Sequence, residues 1–196
     1  TLTDAATLTS TNSSLTTEAT TGTGGSIALN GTAALDLTGT TVSATVKGGS
    51  QPGGNITLTA PTVTIAGGSV TAETAGAGAA GSILVNATTI GVTGGGQLSS
   101  SSTGTATGAA GTVTLEGLTP NTLATSVTLT NGKLLTSAAG SGAGGNIVVR
   151  APSVTLAENA SISATSNSGN AGSLTLTDAA TLTSTNSSLT TEATTG

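Results

Sequence analysis

Residues 145–164 read GNIVVRAPSVTLAENASISA. Within that stretch Ile147 and Val149, then Val154 and Leu156, then Ile162 and Ala164 are apolar pairs, each separated by a single residue (Val148, Thr155 and Ser163). Alternation at period two puts the members of each pair on one face of an extended strand and the intervening residues on the other. Three short strands in a row cannot bury those faces as hairpins of their own. They can be buried if the same pattern is stacked many times.

The pattern does recur. A small-residue loop ending in Gly, then a strand with alternating apolar residues, opens at Gly25, Gly54, Gly81, Gly111, Gly145 and Gly172, at spacings of 27 to 34 residues. Residues 175–196, TLTDAATLTSTNSSLTTEATTG, are identical to residues 1–22, so the sequence restarts after 174 residues and six coils fill one unit without remainder. The chain reads as one continuous solenoid segment over 1–196, one unit plus a 22-residue overlap, with Thr1 an arbitrary starting point. Internal repeats of this length indicate a solenoid or array.

In each coil the first strand carries an inward pair, from Ile27/Leu29 in coil one to Leu174/Leu176 in coil six. The second runs from Leu35/Leu37 to Ala180/Leu182, and the third alternates one large and one small residue, from Val42/Ala44 to Leu189/Thr191. The expected fold is all-β: a right-handed parallel β-helix with three short strands per coil and a narrow aliphatic core. Parallel crossovers favour the right hand. The Gly-rich stretches 74–80 and 137–144 are expected to close their coils, with Gly supplying positive φ. In coil four, seven extra residues separate Leu115 from Val127, so a loop bearing Leu118, Pro120 and Leu123 should protrude from the shaft.

Residues 145–164, with the copy at 54–72 (GNITLTAPTVTIAGGSVTA), resemble the haemagglutination-type repeats of filamentous haemagglutinin-like proteins. The second copy is similar to the versions in large secreted proteins of cyanobacteria. The resemblance covers the whole chain. It implies a right-handed parallel β-helix, export through an outer-membrane partner, and a place on the bacterial cell surface.

Composition excludes most chemistry. The chain has no His, Cys, Met or aromatic residue and only three cations, Lys47, Lys133 and Arg150. That leaves no imidazole base, thiolate or ordinary zinc site, no cationic footprint for nucleic acid and no stacking platform. No apolar run reaches the ~18 residues of a membrane span. The six carboxylates of one unit, Asp36, Glu73, Glu116, Glu158, Asp178 and Glu192, fall at different heights and faces, without the pair that glycoside hydrolysis needs. Two G-x-G-x-x-G matches, at 76–81 and 140–145, each precede a strand where a dinucleotide site requires a helix. No catalytic residue, cofactor or metal site is expected.

One charged pair is placed by register. Glu116 and Arg150 each follow the first apolar residue of strand one by three positions in consecutive coils, so they should meet on the solvent face about 4.8 Å apart. Outward Thr at 64, 128, 155 and 181 raises ice binding as a remote alternative, but Asp36 and Gly91 interrupt the row. The expected function is the structural shaft of an extracellular filament, or else the stalk of a long adhesin whose tip lies outside this segment. The expected partner is the chain itself, by continuation or by axial stacking of Leu174/Leu176 under Ile27/Leu29, with lateral filament contacts or a surface polysaccharide as further candidates. Three further expectations follow: the two copies of the overlap superimpose, neither is capped, and nothing titratable is buried.

Overall fold

The computed structural model describes residues 1–194, and the side chains of all of them except 2–5; Thr195 and Gly196 lie outside the described residues. Nineteen strands and no helix are found among these. In chain order the first seven are β1 (Leu2–Thr11), β2 (Ser14–Ala19), β3 (Ile27–Thr38), β4 (Thr41–Val46), β5 (Ile56–Thr59), β6 (Thr62–Ala66) and β7 (Ser69–Thr74). Then come β8 (Ile83–Asn86), β9 (Thr89–Thr93), β10 (Gln97–Ser102), β11 (Val113–Glu116), β12 (Ser126–Thr130) and β13 (Lys133–Ala138). The last are β14 (Ile147–Arg150), β15 (Ser153–Ala157), β16 (Ser161–Ser166), β17 (Leu174–Thr177), β18 (Thr181–Ser184) and β19 (Ser188–Ala193).

The pairings are parallel, and each joins a strand to its counterpart one coil along. The result is a right-handed β-solenoid of about seven turns. Its first face runs β17-β14-β11-β8-β5 and continues into the start of β3. The second runs from the end of β3 through β6-β9-β12-β15-β18, with β1 paired to β3 on the other side. The third face is β19-β16-β13-β10-β7-β4-β2. Because β3 turns the first corner without a break, it belongs to two faces at once.

Inside, like residues stack on like. Ile27, Ile56, Ile83, Val113, Ile147 and Leu174 form one column. Leu15, Val42, Val70, Leu98, Leu134, Ile162 and Leu189 form another. Ile56, Leu58, Ile83, Leu98, Leu115 and Leu134 are fully buried. Each such side chain gains about 1.5–3 kcal/mol by leaving water, which is how a chain without aromatics sustains a core.

Strand three has a further inward position that the pairwise reading missed, occupied by Val46, Thr74, Ser102, Ala138 and Ser166, all buried. A column of buried alanines, Ala60, Ala87, Ala124 and Ala151, lines the corner after strand one. Their amides donate to the coil below or above, Ala60 to Asn86 O and Ala87 to Glu116 O. Two buried hydroxyls in strand three are satisfied by the coil openings, Thr136 Oγ1 donating to Gly145 O at 2.8 Å and Ser100 Oγ to Gly81 O at 2.6 Å, while Ser102 Oγ has no hydrogen-bond partner.

Two expectations need correction. In coil six, Leu182 pairs with Val154 and Ser184 with Leu156, so the inward pair is Leu182/Ser184 rather than Ala180/Leu182. The outward threonine aligned with Thr155 is accordingly Thr183, not Thr181. Coil six has one more residue at its first corner than coil five, which shifts the frame. The loop glycines also do a different job from the one expected. Gly76, Gly78, Gly140 and Gly142 do not have positive φ. A Cβ on Gly78 would strike the carbonyl oxygen of Gln51, and one on Gly142 that of Gly108. These loops are themselves stacked, with Gly53 N–H donating to Ala79 O and Ala80 N–H to Ala109 O. Glycine is selected there by close backbone approach.

Candidate functional site

The side loop of coil four departs from the stacked lattice.

The loop begins where β11 ends. In coils two, three and five the residue after strand one enters the alanine column directly. In coil four Ala124 fills that column, its N–H donating to Arg150 O at 2.9 Å, and residues 117–123 are looped out ahead of it. The loop is held by its own bonds. Gly117 N–H donates to Thr122 O at 3.0 Å, Thr122 Oγ1 donates to Thr119 O at 2.7 Å, and Asn121 sits at φ +63°. Gly117 is obligatory, because a Cβ would meet the Thr122 hydroxyl and, at 2.6 Å, Leu123 O. Leu118 and Leu123 are left 41 % and 44 % exposed, and Pro120 is exposed between them.

Under this loop lies the charged pair. Arg150 Nε stands 3.4 Å from Glu116 Oε2, and Asn121 N–H donates to the same oxygen at 3.0 Å. The register that brings Glu116 and Arg150 together is the one read from sequence, but the environment differs. Glu116 is 4 % exposed, because the loop folds back over it. Glu116 is therefore under the surface rather than on the solvent face, while the Arg150 side chain keeps 28 % exposure, and the expectation that nothing titratable is buried does not hold. Asn86, paired in register with Glu116, is also buried, and its Oδ1 has no hydrogen-bond partner. On the third face the half-buried Glu73 lies between Thr45 and Ser101, and desolvation raises its carboxyl above its ordinary value.

The residues named for axial stacking lie five coils apart. Ile27 and Leu29 are buried in coil one; Leu174 and Leu176 are partly buried in coil six. Beyond coil one lies the coil formed by β1 and β2, in which Leu2, the counterpart of Leu176, pairs with Leu29 through the backbone. A cavity of about 390 Å³ opens beside it, lined by Thr1, Leu15, Ile27 and Leu29 among others. At the far end Leu182 and Leu189 are 45 % and 37 % exposed.

Among the described residues, no group of three or more His, Cys, Asp and Glu is placed to hold a metal ion. No protein family, curated protein or solved structure matches this chain.

Proposed function

We propose that this chain is a segment of the structural shaft of an extracellular or cell-surface filament built from tandem β-solenoid repeats. One observation carries the reading: the 174-residue restart falls on a whole number of coils, so the lattice continues across the repeat boundary in register. The mechanical element is the parallel backbone ladder along the axis, closed around stacked aliphatic side chains and coated with Thr and Ser. The resemblance to haemagglutination-type repeats supports a secreted, surface location and a bacterial source. The side loop, with Leu118 and Leu123 exposed, recurs once per unit and is the contact point for lateral association. A protein of this kind needs no catalytic group or cofactor.

Six coils at about 4.8 Å each give an axial repeat near 29 Å. Fibre diffraction or helical reconstruction of filaments carrying this repeat should show both spacings. A repeat far from 29 Å without the strand-spacing layer line overturns the reading. Rods of one fixed length shed from cells, in place of indefinite fibres, would instead favour an adhesin stalk.

A further inference from the structure

The corners of this solenoid use asparagine for its backbone, and at one corner its side chain is set beside a reactive neighbour. We infer that Asn131–Gly132, the second corner of coil four, is a site of spontaneous covalent modification: the Asn131 carboxamide is converted through a cyclic imide into aspartate and isoaspartate. The inference goes beyond the filament reading and does not rest on it.

Stacking puts these two residues together. The second corner calls for a left-handed residue in coil after coil. Gly39, Gly67 and Gly94 supply it with φ of 57°, 63° and 59°, and Asn131 with 55°. Glycine and asparagine enter that region at least cost. Coil four turns in two residues, Asn131 and Gly132, between the end of β12 and the start of β13. Gly132 has no substitute, because a Cβ on it would strike the Val92 carbonyl. A glycine is thus fixed directly after an exposed asparagine. The other left-handed asparagines, Asn12, Asn121, Asn159 and Asn186, are followed by Ser13, Thr122, Ala160 and Ser187. Those side chains hinder attack by the following backbone nitrogen. The sequence has one other Asn-Gly pair, Asn30–Gly31. It lies within the unbroken strand β3, with Asn30 paired to Thr59. There the peptide is held extended and cannot fold back onto the side chain without breaking the ladder.

The reaction needs only water. Gly132 N attacks Asn131 Cγ; that C–N bond forms, the Cγ–Nδ2 bond breaks, and the amide proton leaves with the carboxamide nitrogen as ammonia. Water then opens the imide at either carbonyl. One opening restores the backbone, with aspartate in place of asparagine. The other routes the chain through Cβ and Cγ, adds one carbon to the corner and turns the former main-chain carbonyl of Asn131 into a free carboxylate. That carbonyl accepts from Gly95 N–H at 3.0 Å, and Gly132 O accepts from Ser161 N–H at 2.9 Å. An isoaspartate corner therefore loses register with the coils on both sides.

The test incubates the folded 196-residue chain at mildly alkaline pH, with the chain in concentrated guanidinium chloride as the reference. Each asparagine is followed by peptide mass spectrometry, and circular dichroism monitors the fold. In denaturant Asn131 and Asn30 should convert at similar rates. In the folded chain Asn131 should outpace Asn30 by about tenfold or more, because a two-residue corner opens at lower free energy than a strand inside the ladder. Asn131→Gly, which keeps a residue suited to the left-handed corner, should leave the folded chain without a fast site. Equal folded rates at Asn131 and Asn30, or conversion at Asn121 or Asn159 as fast as at Asn131, overturn the inference. So does an Asn131 that converts in denaturant and stays intact in the fold.

Discussion

Residues 1–22 and 175–196 share one sequence, yet their described residues, 1–20 and 175–194, do not share one conformation. From Asn12 and Asn186 onward they agree: φ is 47° and 48°, and β2 and β19 are six-residue strands over matching positions. Before that they part. Residues 2–11 form one continuous strand against β3, with register shifts near Ala5. Their counterparts form β17 and β18, separated by a bend with Asp178 at φ +58°. The expected superposition of the two copies is thus only partial. The cause lies in the neighbouring coil. Leu29 and Leu35 are six residues apart, matching Leu2 and Leu8, so the strand passes the corner unbroken. Val149 and Val154 are five apart, and coil six must absorb its extra residue by placing Asp178 in the left-handed region. A corner in this solenoid is shaped by the coil it rests on.

If stacking dictates conformation, a blocked stack should do the most damage. Gly145→Val places a side chain against the Gly111 carbonyl, and should cost more than about 3 kcal/mol in denaturant unfolding. Gly22→Ala, with nothing within 4 Å of its Cβ, should change stability by less than about 0.5 kcal/mol. Equal effects would break the comparison between interior and end. Arg150→Ala leaves the buried Glu116 carboxylate without its cation, and should cost about 2 kcal/mol, with the 117–123 amides exchanging faster. A loss confined to the few tenths typical of surface pairs would place Glu116 in water after all.

Deleting Asp178 tests the comparison directly. It gives coil six the five-residue corner of coil five, and should protect β18 amides by about 1 kcal/mol in hydrogen exchange. Deleting Asp4 from the other copy should instead weaken the pairing with β3. Identical responses at both ends would show that the local sequence, not the neighbour, sets the corner.

The smallest effect concerns Glu73. Because burial raises its carboxyl, the folded state holds the proton more tightly than the unfolded chain. Its contribution to stability is complete below the ordinary value of 4.5 and is lost as pH rises through the raised value. Glu73→Gln should flatten that part of the stability profile and stabilise the protein at neutral pH by less than about 1 kcal/mol after solvent screening. A wild-type profile that rises across the same interval would contradict the sign.

The fold was legible because a stacked lattice repeats its requirements. Period-two pairs such as Ile147/Val149 and Val154/Leu156 set the strands, and the recurring Gly set the coil length. Identity of the overlap set the unit. Glu116 and Arg150 were brought together by register alone, since stacked parallel strands keep equal positions adjacent. What the sequence could not reveal depended on neighbours distant along the chain. Burial of Glu116 required knowing that residues 117–123 fold back over it and that Asn121 donates to its carboxylate. The frame of Leu182 and Ser184, and the two paths taken by residues 2–11 and their counterparts 176–185, depended on whether the adjacent coil turned its corner in five residues or six. A strand's inward face is written in its own alternation; the path of its first corner belongs to the coil it pairs with, because corner hydrogen bonds such as Ala60 N–H to Asn86 O and Ala87 N–H to Glu116 O run between coils.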